Sequence, residues 1–197
     1  MKLIAEFNET ISPIITESKD GKGKDYFIEG VFMQADIKNR NGRIYPMEVM
    51  QKEVERYTKE FVEKQRAFGE LGHPEGPTIN LDKVSHLIES LTLEGKNYVG
   101  KAKILSTPNG EIVKALINDG AKLGVSSRGL GSLEQKGELM EVQDDFELLC
   151  WDFVSTPSNP GSFMTLKEGK ENNINQYAKA NSIVTEILCA NGNCPIF

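Results

Sequence analysis

Residues Phe146–Val154 (FELLCWDFV) constrain the fold of this chain more than any other stretch. Taken as a strand with period two, they put Phe146, Leu148, Cys150, Asp152 and Val154 on one face and Glu147, Leu149, Trp151 and Phe153 on the other. Either face is therefore expected to be largely buried. Asp152 shares its face with apolar neighbours, and a buried carboxylate is costly unless it is paired. An imidazole is one partner that would satisfy it; an arginine, Arg128 or Arg43, is another.

The chain can supply the layers that such a strand needs. Its 197 residues suffice to bury roughly 70% of the surface exposed on unfolding. With 39% hydrophobic and 26% charged residues it lies in the globular range. A formal net charge of −6 argues against a dedicated nucleic-acid binder, which neutralises phosphates with a basic face. No uncharged stretch approaches the ~20 apolar residues of a spanning helix, and Glu6 and Glu9 interrupt any leader-like opening. The expectation is a soluble, cytoplasmic protein. Cys150, Cys189 and Cys194 cannot all pair and carry no CxxC spacing, so reduced thiols, no metal and no cofactor are expected. Cys150, between Leu149 and Trp151 in an apolar strand, makes a poor nucleophile.

Pattern divides the chain into a flexible segment over 1–25, a main domain over 26–165, and a polar tail over 166–197 with a weakly amphipathic helix near 174–188. Gly21–Lys24 lacks the spacing of a phosphate-binding loop. A strand is predicted over Tyr26–Asp36, with Gly30 marking a bulge or close packing. Asn39–Arg43 is a turn, and Pro46 opens a helix to about Lys64 whose Met47, Met50, Val54, Tyr57 and Phe61 form a core-facing stripe. Val84–Leu93 and Tyr98–Leu105 form a hairpin. Pro108–Gly110 breaks the chain before a short helix through Ile117, and further strands follow over Leu123–Leu133 and Glu138–Val154.

Two other segments carry residues that packing alone does not explain. In Gly69–Pro74 (GELGHP), His73 is held extended by Pro74; it is either a general base at a strand end or a histidine satisfied within a turn. In Gly124–Leu133 (GVSSRGLGSL), small residues flank two hydroxyls. Such glycines serve a glycine-rich edge strand, or they leave a hydroxyl accessible beside amides that converge on one spot.

At these same residues the sequence resembles the prohead core protease family of T-even-type bacteriophages. Tyr26–Ala35 (YFIEGVFMQA), Asn39–Pro46 (NRNGRIYP), Gly69–Pro74 and Gly124–Leu133 follow one another in the family's order, within a match running from about 26 to 160. The resemblance implies an α+β, mostly β fold: a herpesvirus-assemblin-like β-barrel surrounded by helices. It implies a serine endopeptidase that acts inside the prohead in the host cytoplasm. Its substrates would be scaffold or core proteins and capsid proteins, cut after Leu/Ile-x-Glu motifs, and the enzyme itself. The family's histidine falls on His73 and its nucleophile on Ser126. Asp152 is the chosen third member, with Glu70 as the alternative. Ser127, Arg128 and Gly129 are candidates for oxyanion or substrate contacts, Arg128 through a substrate carboxylate, and His86 is structural.

Neither nucleic acid nor membrane is an expected partner, and homo-oligomerisation is left open. A catalytically silent component of the capsid assembly core is the alternative reading. Self-trimming is expected first at the chain ends, after Glu6 or Glu17 and after Glu168, since Ile4–Glu6, Ile15–Glu17 and Leu166–Glu168 fit the motif; so do Leu87–Glu89 and Leu139–Glu141, in presumed strands.

Overall fold

The computed structural model describes residues 2–8, 11–17, 24–39, 41–74 and 76–155. The expected helix near 174–188, Cys189, Cys194 and Leu166–Glu168 lie outside the described residues. In chain order the elements are β1 (Lys2–Asn8), β2 (Ile11–Glu17), β3 (Lys24–Gln34), β4 (Arg43–Ile44), α1 (Met47–Tyr57), β5 (Phe68–Glu70), β6 (Val84–Glu94), β7 (Asn97–Ile104), α2 (Pro108–Asn118), β8 (Gly124–Gly131), β9 (Leu133–Lys136), β10 (Leu139–Val142) and β11 (Glu147–Val154). The fold is α+β and mostly β.

The strands form three sheets: an antiparallel five-stranded sheet in the order β2-β3-β7-β6-β5, a small sheet β4-β10-β9, and an antiparallel sheet β1-β8-β11. The last has β8 at its centre. Residues 2–8 and 11–17, expected to be part of a flexible lead, are instead the edge strands β1 and β2. Their partners, β8 and β3, supply the ladder that these short polar-interrupted segments cannot provide for themselves. Glu6 and Glu17 therefore lie in paired backbone, which removes the reason for expecting cleavage there first.

Trp151 of β11 ties the two larger sheets together. Its indole N–H donates to the Phe32 carbonyl of β3 at 3.1 Å, and its ring meets Phe32 at 5.7 Å and the edge of Tyr57 from α1 at 5.4 Å. Such aromatic pairs contribute ~1 kcal/mol each beyond the area they bury. The predicted irregularity in β3 falls at Phe32, where the register slips between Val31 and Met33, rather than at Gly30. Space for the displaced Phe32 ring comes from Gly100 on β7, where a Cβ would lie 2.5 Å from it.

Pro46 precedes α1 as predicted, and Val49, Met50, Val54 and Tyr57 face inward. The helical stripe continues past Tyr57 as a π-helical turn, Thr58–Val62, which stacks Phe61 on Tyr57 at 5.1 Å. Pro108–Gly110 does not break the chain before the second helix but forms its first turn. The Thr107 hydroxyl caps it, accepting from the Gly110 N–H at 3.1 Å, and Pro108 occupies a first-turn position that needs no N–H partner.

Candidate active site

Register on β8 decides which side chains can meet. Ser126 stands opposite Asp152 of β11, and Ser127 stands opposite Trp151. Directly opposed residues share a face, so Ser126 and Asp152 project together while Ser127 turns to the Trp151 side. The unbroken alternation expected for β11 is corrected by a bulge at Leu149: Leu148 opposes Gly129, and Cys150 opposes Arg128. Leu148 thereby joins the side of Trp151 and Phe153, while Cys150 and Asp152 stay with Ser126 and Arg128. An extra residue that changes parity in this way needs its backbone groups satisfied elsewhere. Helix α1 does so, because Glu53 Oε2 accepts from the Leu148 N–H at 2.9 Å and an Arg56 terminal nitrogen donates to the Leu148 carbonyl at 2.8 Å.

His73 reaches this face through the end of β5. The Glu70 N–H donates to Asp152 Oδ1 at 3.1 Å, Leu71 bridges to Phe153, and the Gly72 N–H donates to the Phe153 carbonyl at 2.7 Å. Gly72 has φ +87°, a conformation that side chains disfavour, and it turns the chain so that His73 follows directly over Asp152. Gly69 serves contact rather than conformation: a Cβ there would lie 2.1 Å from the Trp151 carbonyl oxygen and 2.2 Å from His86 Nε2. His86 itself is fully buried, with Nε2–H donating to the Trp151 carbonyl at 3.0 Å and Nδ1 accepting from the Ser85 hydroxyl at 2.9 Å.

The result is a continuous series. His73 Nδ1 lies 3.0 Å from Asp152 Oδ2, and His73 Nε2 lies 2.5 Å from Ser126 Oγ. An ionised carboxylate only accepts, so Nδ1 carries the imidazole proton and Nε2 is left to accept from the Ser126 hydroxyl. Asp152 and Ser126 are fully buried, and His73, half-buried, is the outermost member of the series. Burial works to raise the Asp152 pKa, but the His73 bond and the Arg128 charge outweigh it and hold the carboxyl below its ordinary value. Cys150, also buried, has its thiol pushed well up by burial and by Asp152, which leaves it inert as a nucleophile.

Asp152 has both of the partners its setting called for, an imidazole and an arginine. Arg128 Nε lies 3.0 Å from Asp152 Oδ2, an ion-pair contact in which the N–H is not aligned for a hydrogen bond, and a terminal nitrogen donates to Oδ1 at 3.3 Å. The guanidinium is fully buried and turned inward, which does not fit an arginine reaching for a substrate carboxylate. Glu70 joins this arginine at 3.4 Å, and it is Asp152 that meets His73 Nδ1. Ser127, Arg128 and Gly129 lie in a strand that pairs on one side with β1 and on the other with β11, whose bulge falls opposite Arg128 and Gly129. The inward place of Arg128 had a signal in the sequence: it stands two residues from Ser126, on the same face of one strand. Glu53 and Arg56 had none.

Residues 5–174 match the family described as prohead core protein serine protease. The chain belongs to that family. It is 38% identical over 160 residues to the prohead core protein protease of Enterobacteria phage T4, covering 77% of this chain and 76% of that one. Its fold matches the solved structure of the bacteriophage T4 capsid assembly protease with a TM-score of 0.71 at 30% identity, over 78% of this chain and 97% of the other. This prohead protease family member has, among the described residues, no helix long and apolar enough to cross a membrane.

Proposed function

We propose that the protein is a serine endopeptidase in which Ser126 is the nucleophile, His73 the general base and acid, and Asp152 the group that orients and charges the imidazole. The observation carrying this reading is the Ser126–His73–Asp152 series at 2.5 and 3.0 Å. As Ser126 Oγ attacks a peptide carbonyl, Nε2 takes its proton, and Asp152, already ionised, stabilises the imidazolium without being protonated. The imidazolium then returns the proton to the leaving amine. Water, activated by the same nitrogen, releases the acyl group.

Substrates on this reading are scaffold or core proteins and capsid proteins inside the prohead, cut after Leu/Ile-x-Glu, and the chain itself, with Glu168 in the polar tail as the favoured self-cleavage point. The protease domain is proposed to end near residue 165, on a barrel of the herpesvirus assembly protease type. Mass spectrometry of a Leu-x-Glu peptide incubated with wild type, Ser126→Ala and Ser127→Ala tests the assignment. Wild type and Ser127→Ala should cleave after Glu, and Ser126→Ala should be slower by about 10⁴-fold or more. Cleavage by Ser126→Ala at the wild-type rate would refute it, as would inactivity of folded wild type together with the T4-like capsid substrates.

A further inference from the structure

Behind Asp152 lies a second buried pair that the triad itself does not use. Arg128 sits two residues beyond Ser126 on β8, fully buried, touching both Asp152 and Glu70. Its other terminal nitrogen donates to the carbonyls of Gly76 at 2.6 Å and Thr78 at 3.4 Å. Glu70 is also fully buried; its Oε1 accepts the Asn80 N–H at 2.8 Å. Both residues therefore grip the loop that follows His73, at 76–80, and both reach Asp152, Glu70 through its backbone N–H.

We propose that Arg128 and Glu70 act together as positioning residues: Arg128 fixes Asp152 and the loop after His73, and Glu70 occupies the arginine's charge so that the charge of Asp152 stays available to the imidazolium. The proposal rests on the serine-protease reading above. Charge counting gives its logic. Asp152 and Arg128 alone would be neutral as a pair, leaving little to favour a proton on His73. Two carboxylates and one guanidinium leave one negative charge, which the imidazolium formed during attack cancels. Without Arg128, two carboxylates would be buried together and one would resist ionisation.

Among the described residues, the groups facing this cluster come from five elements. Asp152 and Cys150 come from β11, Arg128 and Ser126 from β8, Glu70 from β5, His86 from β6 and Tyr57 from α1. His86 is held down to about 4 by burial, and the Tyr57 and Cys150 protons are held on by burial, so none of these three changes charge near neutrality.

Labelling by a serine-directed fluorophosphonate reads the site without any peptide. Its rate should be followed against pH, where the acid limb reports the charge felt by the base that serves Ser126. Glu70→Gln, which keeps shape and removes charge, should move that limb down by about one pH unit and slow the plateau about tenfold. Arg128→Met should lower the plateau and leave the limb near its wild-type place, because one of the two carboxyls then keeps its proton and the net charge stays at minus one, and adding Glu70→Gln to it should move the limb no further. Arg128→Lys should leave the limb in place and lower the plateau, since the charge remains and the fork on Gly76 and Thr78 is lost. A purely structural pair would lower labelling in step with folded fraction and shift no limb. If Ser126→Ala labels like wild type, or wild type does not label, the serine reading and this proposal fall together. If labelling depends on Ser126 but Glu70→Gln leaves the limb where it was, the positioning proposal alone is overturned, whether or not Arg128→Met folds.

Discussion

Acid should weaken this fold through His86, and the size of the effect follows from its surroundings. The ring is sealed between Ser85, the Trp151 carbonyl and Phe153, whose ring centroid lies 4.2 Å away. A proton on Nδ1 would displace the hydroxyl hydrogen of Ser85, and a buried imidazolium would have no solvent. Burial accordingly lowers the pKa from 6.5 to about 4. The unfolded chain takes up the proton near 6.5 and the folded one only near 4, so stability falls as pH drops through that interval. Each pH unit is about 1.4 kcal/mol, which makes the full loss roughly 3 kcal/mol. With a urea slope of about 2 kcal/mol per molar, the midpoint should fall by about 1.5 M between pH 7 and pH 4 from this residue alone. His86→Gln keeps a donor for the Trp151 carbonyl and removes the titration. It should be less stable than wild type at pH 7, yet its midpoint should fall by about 1.5 M less over the same interval. Urea curves at several pH values for both proteins supply the test, because every other titrating group is common to the two. Parallel curves would mean that His86 is protonated in the fold, and the reasoning would be wrong.

Two further outcomes follow from the contacts around the site. Gly69→Ala forces a methyl group against the Trp151 carbonyl and the His86 ring and should cost ~3 kcal/mol or more, whereas Gly72→Ala meets no atom within 4 Å and should cost only ~1 kcal/mol for its positive φ. Thermal melts compare them, and equal losses would refute the close-approach argument. Glu53→Gln weakens the carboxylate that holds the Leu148 N–H and should lower Tm by about 4–8 °C, with peptide cleavage falling further than the melt alone accounts for because the parity of Asp152 depends on that bulge. Cleavage that merely follows the folded fraction would separate Glu53 from the site.

Much of this was legible in the sequence, for local reasons. Pro46 with its stripe through Phe61, and the alternation on either side of Glu94–Asn97, report elements whose periodicity is carried by their own residues. Asp152 announced itself as a carboxylate needing a partner. What escaped was set by distant chain. The first strands, β1 and β2, look loose because half of each ladder belongs to β8 or β3. The bulge at Leu149 leaves no mark in composition, since its satisfaction comes from Glu53, 95 residues earlier. Arg128 was legible as a partner for Asp152, but its second tie, to Glu70, 58 residues away, was not.

The central position of β8 also dictates an order in time. His73 and Ser126 are 53 residues apart, and His73 and Asp152 are 79 apart. On a ribosome adding about 5–20 residues per second, the histidine emerges seconds before the strand that would fix its ring. Until β11 docks, β8 has β1 alone beside it, Ser126 has no Asp152 opposite it, and the histidine loop lacks the Phe153 carbonyl on which Gly72 is hung. On the proposed mechanism, a chain that ends before β11 holds His73 and Ser126 without the strand that carries Asp152. On that mechanism, docking of β11 has to precede any hydrolysis.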